Sequence, residues 1–193
     1  GDEMTSKAPR IPPLPREEWT DEARDVFAYW EGPPARENGS RSNTMLTLAQ
    51  HPKLAIASLD FGKYILIDTK LTARQRELIG VRVAWRYGSD HQWTHHVLSG
   101  RKIGMTDAEF AALKQSEPSD VWDGAEQALI DAVDQLCSKG QIEDATWSML
   151  AAVHEQRTLM DILYAIGLFT MNAWAFNAMG IELEADVAEY SRS

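Results

Sequence analysis

Residues 71–102, LTARQRELIGVRVAWRYGSDHQWTHHVLSGRK, decide the fold because they specify two consecutive helices and the turn between them. Thr72 is a good N-terminal cap for the first helix, and Gly88 is suited to end it. Asp90 can begin a second helix, which runs to about Lys102. The apolar residues of the first helix recur at helical spacing. They are Leu78, Val81, Ala84 and Trp85.

The same periodicity and capping signals extend to both sides of this helix pair. Further helices are predicted at 20–30, at 43–48 with Asn43 as its N-terminal cap, from Pro52, from Thr106, and at 123–138, 143–156 and 158–179. The stretch Glu31–Ser42 has the glycine, proline and polar composition of a loop. Because no segment alternates in the manner of a strand, the sequence predicts an all-α fold of about eight helices.

Two regions of different character are visible along the chain. Residues 1–16 contain Pro9, Pro12, Pro13 and Pro15, which disfavour both helix and strand, so we expect an extended N-terminal arm. Residues 17–193 are expected to form a single helical domain, because a chain of 193 residues is long enough to bury one core.

The net charge and the cysteine content limit which partners and which cellular location we expect for this protein. The net charge of −10 opposes binding to a phosphate backbone, so we do not expect a nucleic-acid partner. Cys137 is the one cysteine, so no intrachain disulfide can form, and a cytoplasmic location fits. No signal peptide is visible.

The apolar stretch 162–181 is close to the length needed to cross a bilayer. It contains Asn172 and Asn177 and is followed directly by an acidic segment. We therefore interpret it as a buried helix of the core, with a place at a subunit interface as the alternative, and expect no membrane association.

Three of the five histidines cluster at the start of the second helix of the pair, as His91, His95 and His96. Histidine titrates near neutral pH and suits proton transfer, and a carboxylate such as Glu77 could orient an imidazole. His91 and His95 share a helix face and could bind a metal given a third ligand. The H-E-x-x-H pattern is absent, since Gln92 follows His91, and we expect neither a metal nor another cofactor.

This region resembles the carboxymuconolactone decarboxylase/AhpD-like family, most strongly over about residues 46–114. The signature is Leu71-Thr72 followed by Arg76-Glu77, then a glycine turn, a tryptophan and His96. The resemblance implies an AhpD-like helical bundle, assembly into trimers or hexamers, and pockets near subunit contacts.

The peroxidase branch of that family has a glutamate followed by a C-x-H-C-x-x-x-H motif. The glutamate and the two histidines fall on Glu77, His91 and His96, whereas Ser89 and Gln92 occupy the cysteine positions. Thiol peroxidase chemistry needs a thiolate and a resolving thiol, which serine and glutamine cannot supply. The decarboxylase-like branch often has a glutamate where this chain has Gln92.

The residues and the resemblance together predict an acid–base site. We expect His96 to be the principal acid or base, with His91 assisting and Glu77 orienting it. We expect Gln92 to donate a hydrogen bond to an enolate-like oxyanion. Three further residues are predicted to contact the substrate. They are Trp93 as a pocket wall, Arg74 as a binder of a substrate carboxylate, and Ser89.

The favoured function is therefore a carboxymuconolactone decarboxylase-like lyase. It would decarboxylate, isomerise or cleave a small organic acid, a lactone or an intermediate of aromatic catabolism. One alternative is an alkylhydroperoxidase or peroxiredoxin-type activity, which the missing cysteine pair disfavours. The other is a non-catalytic oligomeric binding protein.

Overall fold

A computed structural model describes residues 8–192, and within this range the chain is helical and has no β-strand. The prediction of an all-α fold is therefore confirmed. Ten α-helices follow one another between residues 8 and 192. They are α1 (Asp21–Glu31), α2 (Ala35–Asn38), α3 (Asn43–Leu48), α4 (Pro52–Lys63), α5 (Ala73–Tyr87), α6 (Asp90–Lys102), α7 (Asp107–Ala112), α8 (Gly124–Lys139), α9 (Asp144–Val153) and α10 (Gln156–Met179). A π-helical turn, Tyr64–Asp68, continues α4, and short 3-10 turns lie at Arg16–Glu18 and Ala188–Tyr190.

Side-chain caps fix where the main helices begin. The Thr72 hydroxyl accepts a hydrogen bond from the Gln75 backbone N–H, and the Gln75 side chain accepts one from the Thr72 backbone, so the two form a capping box. Thr106 and Glu109 form a second capping box at α7. At the other end of α5, Gly88 has φ +60°, a left-handed conformation that reverses the chain into α6.

Helix α5 lies at the centre of the larger of two hydrophobic clusters. Residues 77–84 are buried without interruption, and α6, α8 and α10 pack around them. A helix that is buried on all sides normally carries apolar residues only, so its two buried charged residues, Glu77 and Arg82, need partners inside the protein.

Arg82 finds its partners at the interface with α8. Its guanidinium, 3% exposed, donates to both Asp134 carboxylate oxygens at 2.8 and 2.6 Å, and also to the carbonyl oxygens of Leu113 and Gln115. One side chain thus ties α5 to α8 and to the segment that follows α7.

The N-terminal helices form a second layer with its own small core. That core joins helices α1 to α4 and is built from Ala23, Val26, Phe27, Ala35, Met45, Ala49, Ala55 and Leu59. The layer meets the main bundle at the start of α3, where the Asn43 backbone N–H donates to Glu184 and the Thr44 hydroxyl contacts His91.

Residues 8–15 of the predicted N-terminal arm have no regular secondary structure and run across both layers. The backbone N–H groups of Arg10 and Ile11 donate to the Met179 carbonyl at the end of α10, and the N–H of Leu14 donates to the Leu46 carbonyl. Residues 1–7 of that arm lie outside the described residues, and the predicted domain division stays a prediction.

Helix α10 is, among the described residues, the one helix that is long and apolar enough to span a membrane by length and composition. Core helices of soluble proteins meet the same criterion. One face of α10 packs on α5 through Ile162, Ala165, Ile166 and Phe169, while Met160, Tyr164 and Trp174 are exposed.

Two local predictions need correction. The stretch Glu31–Ser42 is not a loop throughout, because Ala35–Asn38 forms a short helix between a proline and a glycine. The cap of α3 is Ser42 rather than Asn43, since the Ser42 hydroxyl accepts the Met45 N–H. Ser42 and Asn43 are adjacent, and both residue types are common N-terminal caps.

The ion pair between Arg82 and Asp134 should contribute strongly to stability. We expect Asp134→Ala to lower the free energy of unfolding by roughly 3 kcal/mol, because a buried guanidinium loses its carboxylate. Chemical denaturation monitored by circular dichroism measures this. Lys139→Ala at the end of α8, which breaks the exposed pair with Glu143, is the matched control and should cost less than about 1 kcal/mol. Equal effects of the two substitutions would contradict the assignment.

Candidate active site

Glu77 and His96 form a close pair between α5 and α6. The Nδ1 atom of His96 lies 2.7 Å from Oε2 of Glu77, and the imidazole packs edge-on against the Phe169 ring of α10 at 4.8 Å. The His96 and Glu77 side chains are only 18% and 11% exposed. A carboxylate accepting the Nδ1–H leaves Nε2 as the basic atom, so the pair can remove a proton from a ligand or return it.

Gly80 provides the space in which the His96 imidazole lies. A Cβ atom at residue 80 would come within 2.5 to 2.8 Å of three atoms of that ring. Glycine in the interior of a helix costs about 1 kcal/mol relative to alanine, so its presence here indicates a close approach. The gap in α5 one turn after Glu77 is what lets the imidazole reach the carboxylate.

Ser89 and Gln92 occupy the two positions where the peroxidase branch has cysteines, and both are buried. Their side-chain atoms Ser89 Oγ and Gln92 Oε1 have no hydrogen-bond partner within residues 8–192. Gln92 lies one helical turn before His96, so the two share a face of α6. An unpaired buried polar atom costs about 1–3 kcal/mol, which indicates that a polar ligand or water completes this face.

His91 belongs to a different cluster from His96. Its Nε2 lies 3.1 Å from the Thr44 hydroxyl and 3.6 Å from Oε1 of Glu184, and its ring packs against Phe176. The structure therefore brings together only Glu77 and His96 of the three predicted catalytic residues. On the helix, His91 and His96 are five residues apart and point in different directions.

His95 joins His91 at Glu184. The Nε2 atom of His95 is 3.0 Å from Oε2 of Glu184, and the two imidazole rings are 4.5 Å apart. Burial raises the pKa of the Glu184 carboxyl, but the nearby His91 imidazole and the hydrogen bonds with His95 and from the Asn43 N–H more than offset this. They hold the pKa of Glu184 well below its ordinary value.

Arg74 and Trp93 make contacts within the protein. The Arg74 guanidinium pairs with Glu109 and Glu126, which ties α5 to α7 and α8. Burial raises the pKa of Glu109, but hydrogen bonds from Arg74 and Thr106 outweigh it and lower that pKa. Trp93 is buried, and its ring lies 5.8 Å from that of Trp85. The contacts of Arg74 and Trp93 with other residues of the protein explain why these side chains are there without a role in substrate binding.

Cys137 lies on α8, beside Tyr87, where it packs against the main core. Burial and the hydrogen bond with Cys137 raise the pKa of the Tyr87 hydroxyl. No contact among the described residues joins this thiol to the Glu77–His96 pair. The structure thus gives Cys137 the environment of a packing residue.

Sequence reasoning missed four residues of this region: Gly80, Thr44, Phe169 and Glu184. The interior helical position of Gly80 was a usable signal. Glu184 was visible only as part of an acidic segment after α10, and no spacing rule relates residue 184 to residues 91 and 95.

Within residues 8–192 the helices have an AhpD-like fold. Solved structures with this fold include an uncharacterized peroxidase-related protein from Silicibacter sp. TM1040. It is 19% identical, with a TM-score of 0.76 over 96% of this chain and 97% of that one. A peroxidase-related protein with an alkylhydroperoxidase AhpD core from Ralstonia eutropha JMP134 is 20% identical, with a TM-score of 0.70 over 92% and 94% of the two chains.

A third similar structure is a cysteine-to-alanine variant of the debrominase Bmp8 in complex with 2,3,4-tribromopyrrole. It is 19% identical, with a TM-score of 0.75, and covers 96% of this chain and 97% of its own. At these identities the likeness concerns the fold. No curated protein matches the sequence.

Residues 52–135 match the model of the Carboxymuconolactone decarboxylase family, and this central segment contains Glu77, His91 and His96. The match confirms the resemblance inferred from the sequence.

The position of the His96 imidazole should depend on the missing side chain at residue 80. We expect Gly80→Ala to push the ring off Glu77 and to abolish the 2.7 Å contact, because the ring is also confined by Phe169. A crystal structure of the variant, or the NMR signal of the Nδ1 proton, would show it. Gly167→Ala on α10 is the control, since nothing lies within 4 Å of its added Cβ. An unmoved imidazole in Gly80→Ala would refute this account.

Proposed function

We propose that this protein is an acid–base enzyme of the carboxymuconolactone decarboxylase type. Its substrate would be a small organic acid, a lactone or an intermediate of aromatic catabolism. The observation that carries the proposal is the 2.7 Å contact between Glu77 and His96, held in an apolar setting by Phe169. Such a pair is suited to moving one proton in a lyase or isomerase reaction.

The proposed chemistry assigns one role to each residue. Nε2 of His96 removes a proton from a carbon next to a carbonyl group, or returns one after carbon dioxide has left. Glu77 holds the imidazole in the productive tautomer and stabilises the imidazolium that forms. The Gln92 amide, one turn away, donates to the enolate oxygen, and the Ser89 hydroxyl binds a polar substituent.

Two features support a polar substrate on this face of α6. Ser89 Oγ, at the N-cap of α6, and Gln92 Oε1, in its first turn, are buried without partners in residues 8–192, and both residues precede His96. A ligand that offers a hydrogen-bond donor to Gln92 Oε1 and an acceptor to the Ser89 hydroxyl would satisfy them. The brominated pyrrole bound by the debrominase is a small ring compound, which is consistent with a substrate of that size here.

The peroxidase alternative lacks its reactive groups. The two positions that would carry the thiols are Ser89 and Gln92, and Cys137 packs beside Tyr87. His91 no longer enters the proposed proton transfer, because its imidazole contacts Thr44 and Glu184. Arg74 is likewise left out, since two protein carboxylates already neutralise it.

We expect His96→Ala to reduce kcat at least about 100-fold, because the general base or acid is removed. Glu77→Gln should reduce kcat about 10- to 100-fold, since it removes only the charge that orients the imidazole. Turnover would be measured by the loss of ring substrates or the release of carbon dioxide across lactones and aromatic-derived acids. His154→Ala, at the end of α9, is the control.

Helical circular dichroism should be the same in all four proteins. Turnover that survives His96→Ala would remove this residue from the mechanism. Binding without turnover in the unsubstituted protein would favour the non-catalytic alternative.

We also propose that the protein is a homo-oligomer, a trimer or hexamer, in the cytoplasm. One side of α10 exposes Met160, Tyr164, Met171 and Trp174, with exposed fractions of 56, 61, 42 and 58%. Clustered apolar exposure of this kind is typical of interaction surfaces.

Light scattering after size exclusion should therefore give a mass of three or six chains. We expect the double substitution Met160→Glu and Met171→Glu to shift it towards the monomer, because charges would be buried at the contact. Ile103→Glu, on an exposed apolar residue that follows α6, is the matched control. A monomeric unsubstituted protein would contradict this proposal.

A further inference from the structure

His91, His95 and Glu184 form a cluster whose geometry fits a divalent metal ion. Each offers one ligand atom, and the three atoms lie within 4.8 Å of one another. The separations from the Glu184 oxygens are 3.6 Å to Nε2 of His91 and 3.0 Å to Nε2 of His95. Ligands bound tetrahedrally to Zn²⁺ at about 2.0–2.1 Å are about 3.4 Å apart, so small side-chain movements complete the site.

We infer that His91, His95 and Glu184 bind a transition-metal dication, with Zn²⁺ as the reference ion. Two imidazoles and one carboxylate are the ligand set of open metal sites that retain a position for water or another ligand. This inference goes beyond the proposed proton transfer, which uses Glu77 and His96.

The two histidines are presented by one rigid element. They are four residues apart on α6 and therefore lie on the same face of the helix, one turn apart. Both direct Nε2 at the same carboxylate, and their rings are 4.5 Å apart. Two histidines at this spacing need a third ligand from another part of the fold to form a specific metal site. Glu184 is that third ligand.

Glu184 is oriented for that role by the start of α3. Its Oε1 accepts the Asn43 backbone N–H at 2.9 Å, while Oε2 faces His95. A hydrogen bond that holds one carboxylate oxygen leaves the other free to coordinate. The Glu184 side chain is 14% exposed, so the carboxylate is partly withdrawn from solvent.

The surroundings allow an ion to enter and favour positive charge. His91 lines a cavity of 610 Å³ with Asp90 and Phe176, and His95 and Glu184 line a neighbouring cavity of 540 Å³ with Arg41 and Asp186. Leu183 borders both cavities. Arg41 opposes cation binding, but the protein as a whole carries a net charge of −10.

Substitution of Thr44 distinguishes metal coordination by His91 from packing of its side chain against α3. Its hydroxyl lies 3.1 Å from Nε2 of His91, so a bound ion would replace this hydrogen bond. Thr44→Val removes the hydroxyl and keeps all three ligands, whereas His95→Ala removes a ligand whose side chain is 43% exposed. The two substitutions therefore test coordination without dismantling the core.

The experiment is isothermal titration of chelator-treated, untagged full chain with Zn²⁺, and with Co²⁺ followed by visible absorption. We expect one equivalent to bind. His95→Ala and Glu184→Gln should each weaken binding at least about 10-fold. Thr44→Val should retain it, and His154→Ala and Cys137→Ser are controls that should also leave it unchanged.

Two results would overturn the inference. One is the absence of stoichiometric binding by the unsubstituted protein. The other is binding that His95→Ala and Glu184→Gln leave intact, which would place the ion elsewhere. Because the readout is binding, the outcome is independent of whether His96→Ala abolishes turnover.

Discussion

The burial of α5 on every side is the constraint on which the rest of the structure depends. Eight consecutive residues, 77–84, are withdrawn from solvent, yet two of them are charged. Each charge must be matched by a partner from a neighbouring helix. Arg82 is matched by Asp134 of α8, which fixes the scaffold. Glu77 is matched by His96 of α6, which is the centre of the proposed chemistry.

Helix α6 divides the chemistry of this region between two faces. Ser89, Gln92 and His96 follow one another on one face, while His91 and His95 lie on another, at the junction with the N-terminal layer. The first face combines a paired base with unpartnered polar atoms, as a substrate site requires. The second combines imidazoles with a carboxylate from a distant part of the chain. Neighbouring residues of one short motif can thus serve different purposes.

Features that depend on neighbouring residues in the sequence could be predicted, and contacts between distant residues could not. Thr72, Gly88 and the apolar periodicity between them predicted α5 to within a residue, because caps and periodicity are local properties. The pairing of Glu77 with His96 was also foreseen, since adjacent helices joined by a tight turn must pack together. The prediction that His91 and His96 share one site was wrong. The two residues are close in sequence, but their side chains leave α6 in different directions. Glu184 could not be placed, since its contact with His95 spans 89 residues and depends on tertiary packing.

The position of α10 has a consequence for how the chain reaches its native state. Helix α5 is covered by α10, and the segment around Arg10 and Ile11 binds the carbonyl of Met179 at its end. During synthesis, α5 and the segment around Arg10 and Ile11 both leave the ribosome well before α10, the helix that they contact in the folded protein. An apolar central helix that is not yet covered exposes hydrophobic surface over that interval, and such surface makes a partly folded chain prone to aggregation.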